Sequence, residues 1–597
     1  MNIKDALNTL PWKKKNNTFH QLITPWGEQI EKSKVLTEYP RPQLVRDNYK
    51  SLNGEWDYAI TKHSKIPKEF QGKILVPFSP ESYLSGVNQQ VMPDDLLWYK
   101  KEFNLKTNGK QRLILHFGGV DQYCEVYINK KRIGNHLGGY LPFSFDITPY
   151  ITDGNNEILL KVKDTSDTSY HSRGKQKLKR GGMFYTAQSG IWQTVWYEWV
   201  PESYIDKLFI TPLYDESKIR LQFQLKNGNN DIKETNQLTA GIKIYADKEI
   251  LFNANIPIDE RGMVEVPIQK CYPWSPEDPF LYDLKITVND DKVNSYFAMR
   301  KISLGKDENG IPRIYLNNEI YFQNGVLDQG YWPDGLYTAP SDEAFCFDIL
   351  KMKELGFNMI RKHIKIEPLR WYYHCDRLGM LVWQDMVNGG GSYNAGIVTY
   401  LPTVVPKMRL KDNLYGLLAR RNKAGREEFL EECKETIEHL YSIPSIVTWV
   451  PFNEGWGQFN ASHVVRLIRK LDGTRLIDEA SGWFDQKGGD MKSVHNYFRK
   501  LTVSLEKERA FVISEFGGYA CYLKGHSYSQ QIYGYRKYDK LKDYQKAIHK
   551  LYQEEVYPLV EQGLCAVVYT QVSDVEEEVN GLLTYDRKVC KIEKSLI

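Results

Sequence analysis

The sequence predicts three domains: an N-terminal β jelly-roll sandwich over residues 1–200, an immunoglobulin-like β-sandwich over 201–305 and a C-terminal (β/α)8 TIM barrel over 306–597. Three observations predict this architecture. At 597 residues the chain is too long for one hydrophobic core. Two successive sets of short strands, separated by turn residues, fill its first half. Strands then alternate with amphipathic helices to the end.

Short strands with turn signals fill residues 43–199. The segment "YINKKRIG" predicts two strands about a tight turn, and "ITDGNNEILL" carries an Asp-Gly turn. Many strands without helical periodicity are typical of a β-sandwich or jelly roll. From Tyr204 to about Gly305 a fresh set of strands, with the proline-rich segment "CYPWSPEDPF" among them, predicts a second, immunoglobulin-like sandwich.

At "IYLNNEIYFQNGV" the pattern changes to alternating strands and helices. Helices are expected from Ser341 to Gly356, from Pro368 to Gly379 and from about Asp543 to Gln562, and Asn460 is expected to cap another. Eight strands in about 280 residues match the count and length of a TIM barrel. The predicted strands lie in "EIYFQNG", "FNMIRKH", "MLVWQD", "IVTWV", "RLIDEA", "KSVHNY", "FVISE" and "CAVVYTQ".

The composition excludes some classes of partner. The net charge is only +4, so no global field would attract nucleic acid or an anionic membrane. The densest basic run, Arg173 to Gly182, is interpreted as a solvated loop rather than a phosphate patch. The 40 Tyr, 24 Phe and 14 Trp residues suit stacking on sugar rings, but they suit β-sandwich cores equally well.

The eight cysteines are scattered and include no C-x-x-C pair, so we expect reduced and mostly buried thiols. The first residues, "MNIKDALNTLPWKKKNN", contain no apolar core of signal-peptide length, and no later run approaches a membrane span. These features predict a cytoplasmic protein.

Two strands end in a glutamate and then a glycine-rich turn. The segment "IVTWVPFNEGWGQF" delivers Asn453 and Glu454 after a buried strand, and "FVISEFGG" places Glu515 at the end of another. Two carboxyl groups at one barrel mouth are the minimum required for glycoside hydrolysis. If the strand assignment is correct, one mouth should hold all of these strand-end groups: Asn324, His363, Asp385, Glu454, His495, Glu515 and Gln571.

At these residues the chain resembles glycoside hydrolase family 2, which includes β-galactosidases, β-glucuronidases and β-mannosidases. The segment "YSIPSIVTWVPFNEG" is similar to the family's acid/base motif, and "FVISEFG" is similar to its nucleophile motif. A third match, "FNMIRKHIKIEPLRWYYHCDRLGMLVWQD", departs at Ile364 and Lys365, where the family usually has a tyrosine and a proline. The resemblance covers nearly the whole chain and implies that the first domain is a sugar-binding jelly roll.

The resemblance implies a role for each matching residue. Glu515 would attack the anomeric carbon, while Glu454 would protonate the leaving oxygen and later deprotonate a water. Retention of configuration requires the two carboxyl groups to lie only about 5 to 5.5 Å apart. The resemblance further implies that Asn453 binds the sugar 2-hydroxyl, that Tyr497 positions the nucleophile, and that His363 and His495 bind sugar hydroxyls, with structural roles as the alternative for the two histidines and Tyr497.

Departures from the family bear on the sugar. The Asn-x-Lys pair that holds a uronate carboxylate in β-glucuronidases is replaced by Asn580, Gly581 and Leu582, so a uronic acid would lack its usual cation. The metal-dependent β-galactosidase type of the family binds magnesium through a glutamate and a histidine after the third strand. The stretch "QDMVNGGGSY" offers Asp385 and no histidine there, so the resemblance implies no required metal and no cofactor.

Two further positions differ from the family pattern. The tryptophan platform of the last strand is replaced in "VVYTQVSD", which leaves Tyr569 or Gln571 to take part. The jelly-roll loop "GGMFYTAQSGIW" lacks the acidic residue that several members lend to the sugar pocket, so Phe184 and Tyr185 are candidate contacts.

The sequence therefore favours an exo-acting, retaining β-glycosidase that is β-galactosidase-like. The alternatives are the same mechanism on a β-glucuronide, β-mannoside or pentopyranoside, and a catalytically silent carbohydrate-binding protein on the same fold. The expected partner is a carbohydrate substrate. A homo-oligomer remains open, since family members often associate.

Overall fold

The computed structural model describes residues 19–593, apart from 108, 110, 236 and 406–409. In the first domain two antiparallel sheets enclose one apolar core, which includes Trp56, Tyr99 and Phe117. The hairpin predicted in "YINKKRIG" is confirmed, with positive φ at Asn129 and Lys130 in its turn. The six-stranded sheet contains, in order, Gly72–Val76, Gly54–Thr61, Leu96–Leu105, Gly154–Lys163, Tyr123–Ile128 and Lys131–Leu137; the four-stranded sheet contains Tyr49–Ser51, Val195–Val200, Arg112–Phe117 and Phe143–Asp146.

The second domain is a sandwich of two antiparallel four-stranded sheets. Buried and exposed residues alternate along its strands, because one face of each sheet packs on a common core. One sheet is built from Ser203–Leu213, Lys218–Asn227, Asn230–Asp231 and Met263–Pro267; the other from Glu249–Pro257, Thr239–Ala246, Tyr282–Val288 and Asp291–Phe297.

The third domain is an eight-stranded parallel barrel. Its strands pair in the order β5-β4-β3-β2-β1-β8-β7-β6. Between β5 and β6 the connection is made by Asp490, whose backbone N–H donates to Ile477 O (2.8 Å) and whose side chain accepts from Ile477 N (2.8 Å). The strands are β1 Gln323–Asp328, β2 Met359–Lys362, β3 Leu381–Asp385, β4 Ile446–Val450, β5 Leu476–Ile477, β6 Met491–Asn496, β7 Ala510–Gly517 and β8 Leu564–Thr570.

A small antiparallel sheet precedes the barrel and packs with its interior side chains. Its strands are Ile302–Lys306, Pro312–Leu316 and Glu319–Ile320, and Ile314 and Leu316 join one apolar cluster with barrel residues such as Trp383. Part of "EIYFQNG" therefore belongs to this sheet, and β1 begins only at Gln323.

Helices surround most of the barrel, but none lies between β5 and β6 or between β6 and β7, where the sequence had suggested regular alternation. Ser341 caps α1 and Gly379 ends α2, as predicted. Asn460 does not cap α5 through its side chain; instead Asp412 accepts a hydrogen bond from Ala461 N (2.7 Å). The helices are α1 Asp342–Glu354, α2 Leu369–Leu378, α3 Leu401–Val404, α4 Lys423–Leu440, α5 Ala461–Leu471, α6 Leu541–Leu551 and α7 Tyr557–Glu561, with π-helical turns at Gly396–Tyr400 and Tyr552–Val556.

All eight cysteines are free thiols, and five of them are buried, as predicted. Among the described residues, no helix combines the length and apolar character needed to cross a lipid bilayer.

Candidate active site

The guanidinium of Arg361, at the carboxyl end of β2, organises the mouth of the barrel. It is completely buried and binds both oxygens of Asp385 at 2.9 and 3.0 Å. It also donates to Asn453 Oδ1 (2.8 Å), Glu515 Oε1 (3.2 Å) and Ser481 Oγ (2.9 Å). Five donors in a rigid plane allow one arginine to fix groups from several strands at once. Sequence analysis noted Arg361 only as part of a motif and assigned it no role in the site.

Glu515 lies on β7 with both carboxyl oxygens held. Tyr497 donates its phenol proton to Oε2, and Arg361 donates to Oε1. Burial alone would raise the pKa of Glu515, but the nearby charges of His495 and Arg361 outweigh it and hold the pKa below its usual value. Glu515 is therefore the ionised carboxylate of the site.

Glu454 follows β4 in a tight turn, with a left-handed φ of 50° and positive φ at Gly455 and Gly457. Its Oε1 lies 2.9 Å from Nδ1 of His495. Burial raises the pKa of Glu454 and the negative charge of Glu515 raises it further, against the opposing hydrogen bond from His495. The two glutamates are thus driven to opposite protonation states, which is the pattern of an acid and a nucleophile.

The two carboxyl groups face each other across a short gap. One oxygen of Glu454, one oxygen of Glu515 and a ring nitrogen of His495 all lie within 4.8 Å of one another. Retaining glycosidases have carboxyl groups about 5 to 5.5 Å apart, whereas inverting enzymes leave about 6.5 to 9.5 Å for a water. An approach of two carboxyl oxygens to within 4.8 Å favours the shorter, retaining arrangement.

Two neutral side chains near the glutamates have groups that can bind hydroxyls. His363 Nδ1 lies 2.7 Å from Asp385 Oδ2, which fixes the ring. Burial, and next the charge of Lys175, hold the pKa of His363 well below its usual value, so the ring is neutral. The amide nitrogen of Asn453 is buried and has no hydrogen-bond partner in the described part of the chain. A sugar hydroxyl could satisfy that donor.

His495 differs from the prediction. Its Nδ1 is taken by Glu454 and its Nε2 lies 2.9 Å from Ser481 Oγ and 3.6 Å from Glu515 Oε1. The imidazole therefore links the two glutamates and leaves no nitrogen free for a sugar hydroxyl. Sequence spacing could not show this, because Ser481 comes from the loop after β5.

The prediction for Asn324 is wrong. Asn324 lies at the amino-terminal end of β1, where its backbone N–H donates to Asn358 Oδ1 (2.8 Å) and its side chain to Gly356 O (3.2 Å). The error follows from the strand beginning at Gln323, so that the mouth of the barrel receives Asp328 instead.

Gln571 follows β8 at the mouth, where it accepts from Gln329 Nε2 (2.7 Å) and donates to Asn580 (2.9 Å). Its neighbour Thr570 lies 3.2 Å from the Tyr497 hydroxyl. Tyr569 instead packs against Phe516 and Tyr552 in the core, so it cannot serve as a sugar platform.

Aromatic rings border the Glu454 carboxyl group. A cavity of about 580 Å3 is lined by Glu454, Tyr497, Trp483, Tyr533 and Tyr535, among other residues. The rings of Tyr497 and Tyr535 stack at 3.7 Å between centroids. Sugar rings bind well against such apolar faces with a few convergent polar groups.

The jelly-roll domain reaches this mouth. Phe184 packs against Trp456, with ring centroids 5.7 Å apart, and Tyr185 is fully buried and donates to Glu578. The basic run interpreted as a solvated loop is partly buried there, since Arg173 and Lys175 are only 4% and 6% exposed. Counting charges along the sequence cannot show that another domain buries these side chains.

Fold and site together define a three-domain protein with a glycosidase-type pair of carboxyl groups at the mouth of its barrel. Three family models match the chain: the sugar-binding domain of glycosyl hydrolases family 2 over residues 81–201, glycosyl hydrolases family 2 over 203–300, and the family 2 TIM-barrel domain over 338–591. The chain belongs to glycosyl hydrolase family 2.

Relatives carry two different names. A β-galactosidase of Leuconostoc mesenteroides is 24% identical over 540 residues, covering 82% of this chain and 47% of the relative. A putative β-glucuronidase of Formosa agariphila is 29% identical over 467 residues, covering 70% and 50%. The chain thus spans about half the length of these curated relatives.

Solved structures share the fold over about nine tenths of this chain. A β-glucuronidase from an uncultured Clostridium species superposes with a TM-score of 0.69 at 18% identity, covering 91% of this chain and 96% of that one. A β-galacturonidase from Eisenbergiella tayi gives 0.66 at 17% identity, covering 92% and 95%.

Proposed function

We propose that this protein is an exo-acting, retaining β-glycosidase. The observation that carries the proposal is the pair Glu454 and Glu515, which have oxygens within 4.8 Å of each other and environments that shift their pKa values in opposite directions. Two carboxyl groups with these properties suit double displacement at one anomeric carbon.

In the first step the Glu515 carboxylate attacks the anomeric carbon while Glu454 gives its proton to the leaving oxygen. This forms a covalent glycosyl–enzyme ester and frees the aglycone. In the second step Glu454, now ionised, takes a proton from water, and the resulting hydroxide displaces Glu515. Two inversions give net retention.

The surrounding residues hold the sugar and the nucleophile in place. The free amide of Asn453 donates to the 2-hydroxyl, and the outward nitrogen of His363 binds another hydroxyl, with Asp385 fixing its ring. Tyr497 and Arg361 fix the two oxygens of Glu515. Such preorganised contacts lower the barrier by fixing a reactive geometry.

The sequence, the relatives and the segment around Asn580 bear on which sugar the protein cleaves. The sequence favours a β-galactoside, with β-glucuronide, β-mannoside and pentopyranoside as alternatives, and relatives named β-galactosidase and putative β-glucuronidase match the chain comparably well. Asn580 is engaged by Gln571 and by Glu578, and Gly581 and Leu582 follow it, so this segment supplies no cation. The eight free thiols support action in the cytoplasm.

The direct test compares Glu515→Gln, Glu454→Gln and Glu508→Gln on a panel of aryl β-glycosides. Glu508 is an exposed glutamate seven residues before Glu515, so its variant is a matched control. We expect Glu515→Gln to lose turnover by on the order of 10⁴-fold. Glu454→Gln should lose about 10² to 10⁴-fold on poor leaving groups and far less on dinitrophenol, which needs no proton.

Full turnover by the Glu515 variant would reject the nucleophile assignment. A wild-type protein that binds sugars but cleaves no member of the panel would instead be the silent carbohydrate-binding protein.

A further inference from the structure

A loop of the jelly-roll domain, residues 171–178, enters the mouth of the barrel. Ser172 forms an isolated bridge with Gly389, and the N–H groups of Arg173 and Gly174 donate to Asn388 O at 2.9 and 3.2 Å. The guanidinium of Arg173 also donates to Gly391 O at 3.0 Å. The loop is thereby attached to the segment that follows β3.

The next residues attach the same loop to its own domain. The side-chain amide of Gln176 donates to Asp121 (2.9 Å) and Tyr140 (2.9 Å), and its Oε1 accepts from Gln188 N (2.8 Å). Lys175 therefore stands between two anchored neighbours, which fixes its backbone in one place.

Lys175 is only 6% exposed, yet its ammonium has no hydrogen bond and no ion pair among the residues that the structure describes. It lies 5.5 Å from the ring centroid of Tyr185 and 5.5 Å from that of Trp456. Aromatic faces attract a cation, but they replace only part of the hydration that burial removes. A lysine with so little exposed surface and no carboxylate partner is uncommon.

This ammonium belongs to the candidate active site. Burial and then the charge of Lys175 lower the pKa of His363, and the same charge opposes the raising of the pKa of Glu454 by burial. Trp456 lies in the turn two residues after Glu454, and its ring is 6.4 Å from that of His363. Lys175 is thus beside the groups that surround the sugar.

A second polar group near the loop also lacks a partner. Asn388, whose backbone oxygen holds Arg173 and Gly174, is 4% exposed, and both atoms of its side-chain amide are buried without a hydrogen bond within the described residues. Buried amides are normally satisfied, so a hydroxyl or acid group of a ligand would supply what is missing.

We propose that Lys175 is a specificity-determining residue that pairs with an acidic substituent of the sugar bound in the active site, a uronate carboxylate or a sulfate ester. The inference rests on the proposed glycosidase function and specifies its substrate class. An ammonium that lies between anchored neighbours, beside Trp456 and without a carboxylate partner, is matched best by an anion delivered with the substrate. The configuration at the sugar C4 is independent of this pairing.

The cation comes from a different domain than sequence motifs suggest. The residues directly after Asn580 in the barrel are Gly581 and Leu582, but the jelly-roll loop brings a lysine, Lys175, to the same mouth. A search confined to the barrel could not find it.

The test measures kcat/KM of the wild type, Lys175→Met and Lys177→Met on aryl β-glucuronide, β-galacturonide and galactoside 6-sulfate, each with its neutral glucoside or galactoside. Lys177 lies on the same loop, over the ring of Phe184, and is the matched control. We expect the wild type to prefer an acidic substrate, and Lys175→Met to lose about 10 to 100-fold on that substrate alone. The uronide and sulfate arms identify which anion is bound.

A wild type that cleaves neutral glycosides but no acidic one would overturn the inference and leave the proposed function standing. Equal loss on acidic and neutral substrates in Lys175→Met would also overturn it. Failure to cleave any glycoside would reject the proposed function itself.

Discussion

At the residue scale, the protonation states of the two glutamates depend on the few groups that touch them. Tyr497 hydrogen-bonds only Glu515 of the pair, whereas His495 lies against both carboxyl groups. Each neighbour should therefore leave a different mark on the pH profile, since the acid limb reports ionisation of Glu515 and the alkaline limb reports loss of the Glu454 proton.

Tyr497→Phe removes a hydrogen bond that lowers the pKa of Glu515. The pKa of Glu515 should rise, so the acid limb of kcat/KM moves to higher pH while the alkaline limb stays. We expect kcat to fall by about 10² to 10³-fold, since the phenol also holds the nucleophile in line. Kinetics from pH 3 to 10 would check both, and an unmoved acid limb would contradict the assignment.

His495→Asn removes the group that lowers the pKa of both glutamates. Both pKa values should rise, so the entire bell moves to higher pH. A movement of one limb only would show that His495 does not link the two carboxyl groups. General loss of stability would lower activity in both variants without distinguishing the two limbs. The predicted shifts do distinguish them: both limbs move in His495→Asn, and the acid limb alone moves in Tyr497→Phe.

Residue identities were predictable where a motif marks the end of a strand. Glu454, Glu515 and His363 were predicted at one mouth from their positions at strand ends, whereas Asn453 and Tyr497 received their roles from the family resemblance. The roles of Arg361 and Ser481 were not, because each acts through partners that come from distant strands.

At the scale of elements, the ladder of paired strands in the barrel is open between β5 and β6. The strand β5 has two residues, and Asp490 provides its link to β6 through the N–H and carbonyl of Ile477. Arg469 orients the Asp490 carboxylate at 2.7 and 2.8 Å. Ser481 lies in the loop that follows β5, and His495 lies on β6. This junction therefore positions both side chains.

Asp490→Ala should lower the free energy of unfolding by about 1.5 to 3 kcal/mol, the range for a hydrogen bond to a charged group. Activity should fall with it, because His495 loses its fixed place. Urea denaturation and kcat measure the two effects. Asp94→Ala, at an exposed surface ion pair, is the control and should leave the denaturation midpoint unchanged.

An unchanged midpoint in Asp490→Ala would show that other contacts close the barrel. Hydrophobic periodicity predicted the strands themselves. It could not show that β5, β6 and β7 follow one another without helices, because the spacing of strands does not distinguish a connecting loop from a connecting helix. The prediction for the cap of α5 was wrong because the acceptor of the Ala461 N–H, Asp412, lies 49 residues away in the sequence.

At the scale of the whole molecule, a buried ion network joins the two sandwiches. Arg46 binds both oxygens of Asp291 at 2.9 and 2.7 Å in the second domain and reaches Glu198 (3.2 Å) in the first. Burial opposes ionisation of Glu198, but Arg41, His116 and Arg46 hold its pKa well below its usual value. Stability from Glu198 is therefore present above its unfolded pKa and is lost as the pH falls through the folded value.

Arg46→Met should cost about 3 to 5 kcal/mol, because it leaves the buried Asp291 carboxylate without its arginine and removes one of the two arginines that neutralise Glu198. Differential scanning calorimetry should show a lower Tm. Arg220→Met, which breaks an arginine–glutamate pair that is 40% exposed on each side, serves as the control and should leave the Tm unchanged. Equal effects of the two changes would contradict a structural role for the buried network.

The order and type of the three domains were predictable, because each has its own periodicity. The entry of residues 171–178 into the barrel mouth was not, since contact between domains leaves no local pattern. That contact is what places Lys175 beside Trp456.

The retaining geometry of Glu454 and Glu515 is tested most directly by the stereochemistry of the first product. Proton NMR of a fresh reaction with an aryl β-glycoside should show the β-anomer of the released sugar first and the α-anomer only as mutarotation proceeds. Initial appearance of the α-anomer would contradict direct attack by Glu515.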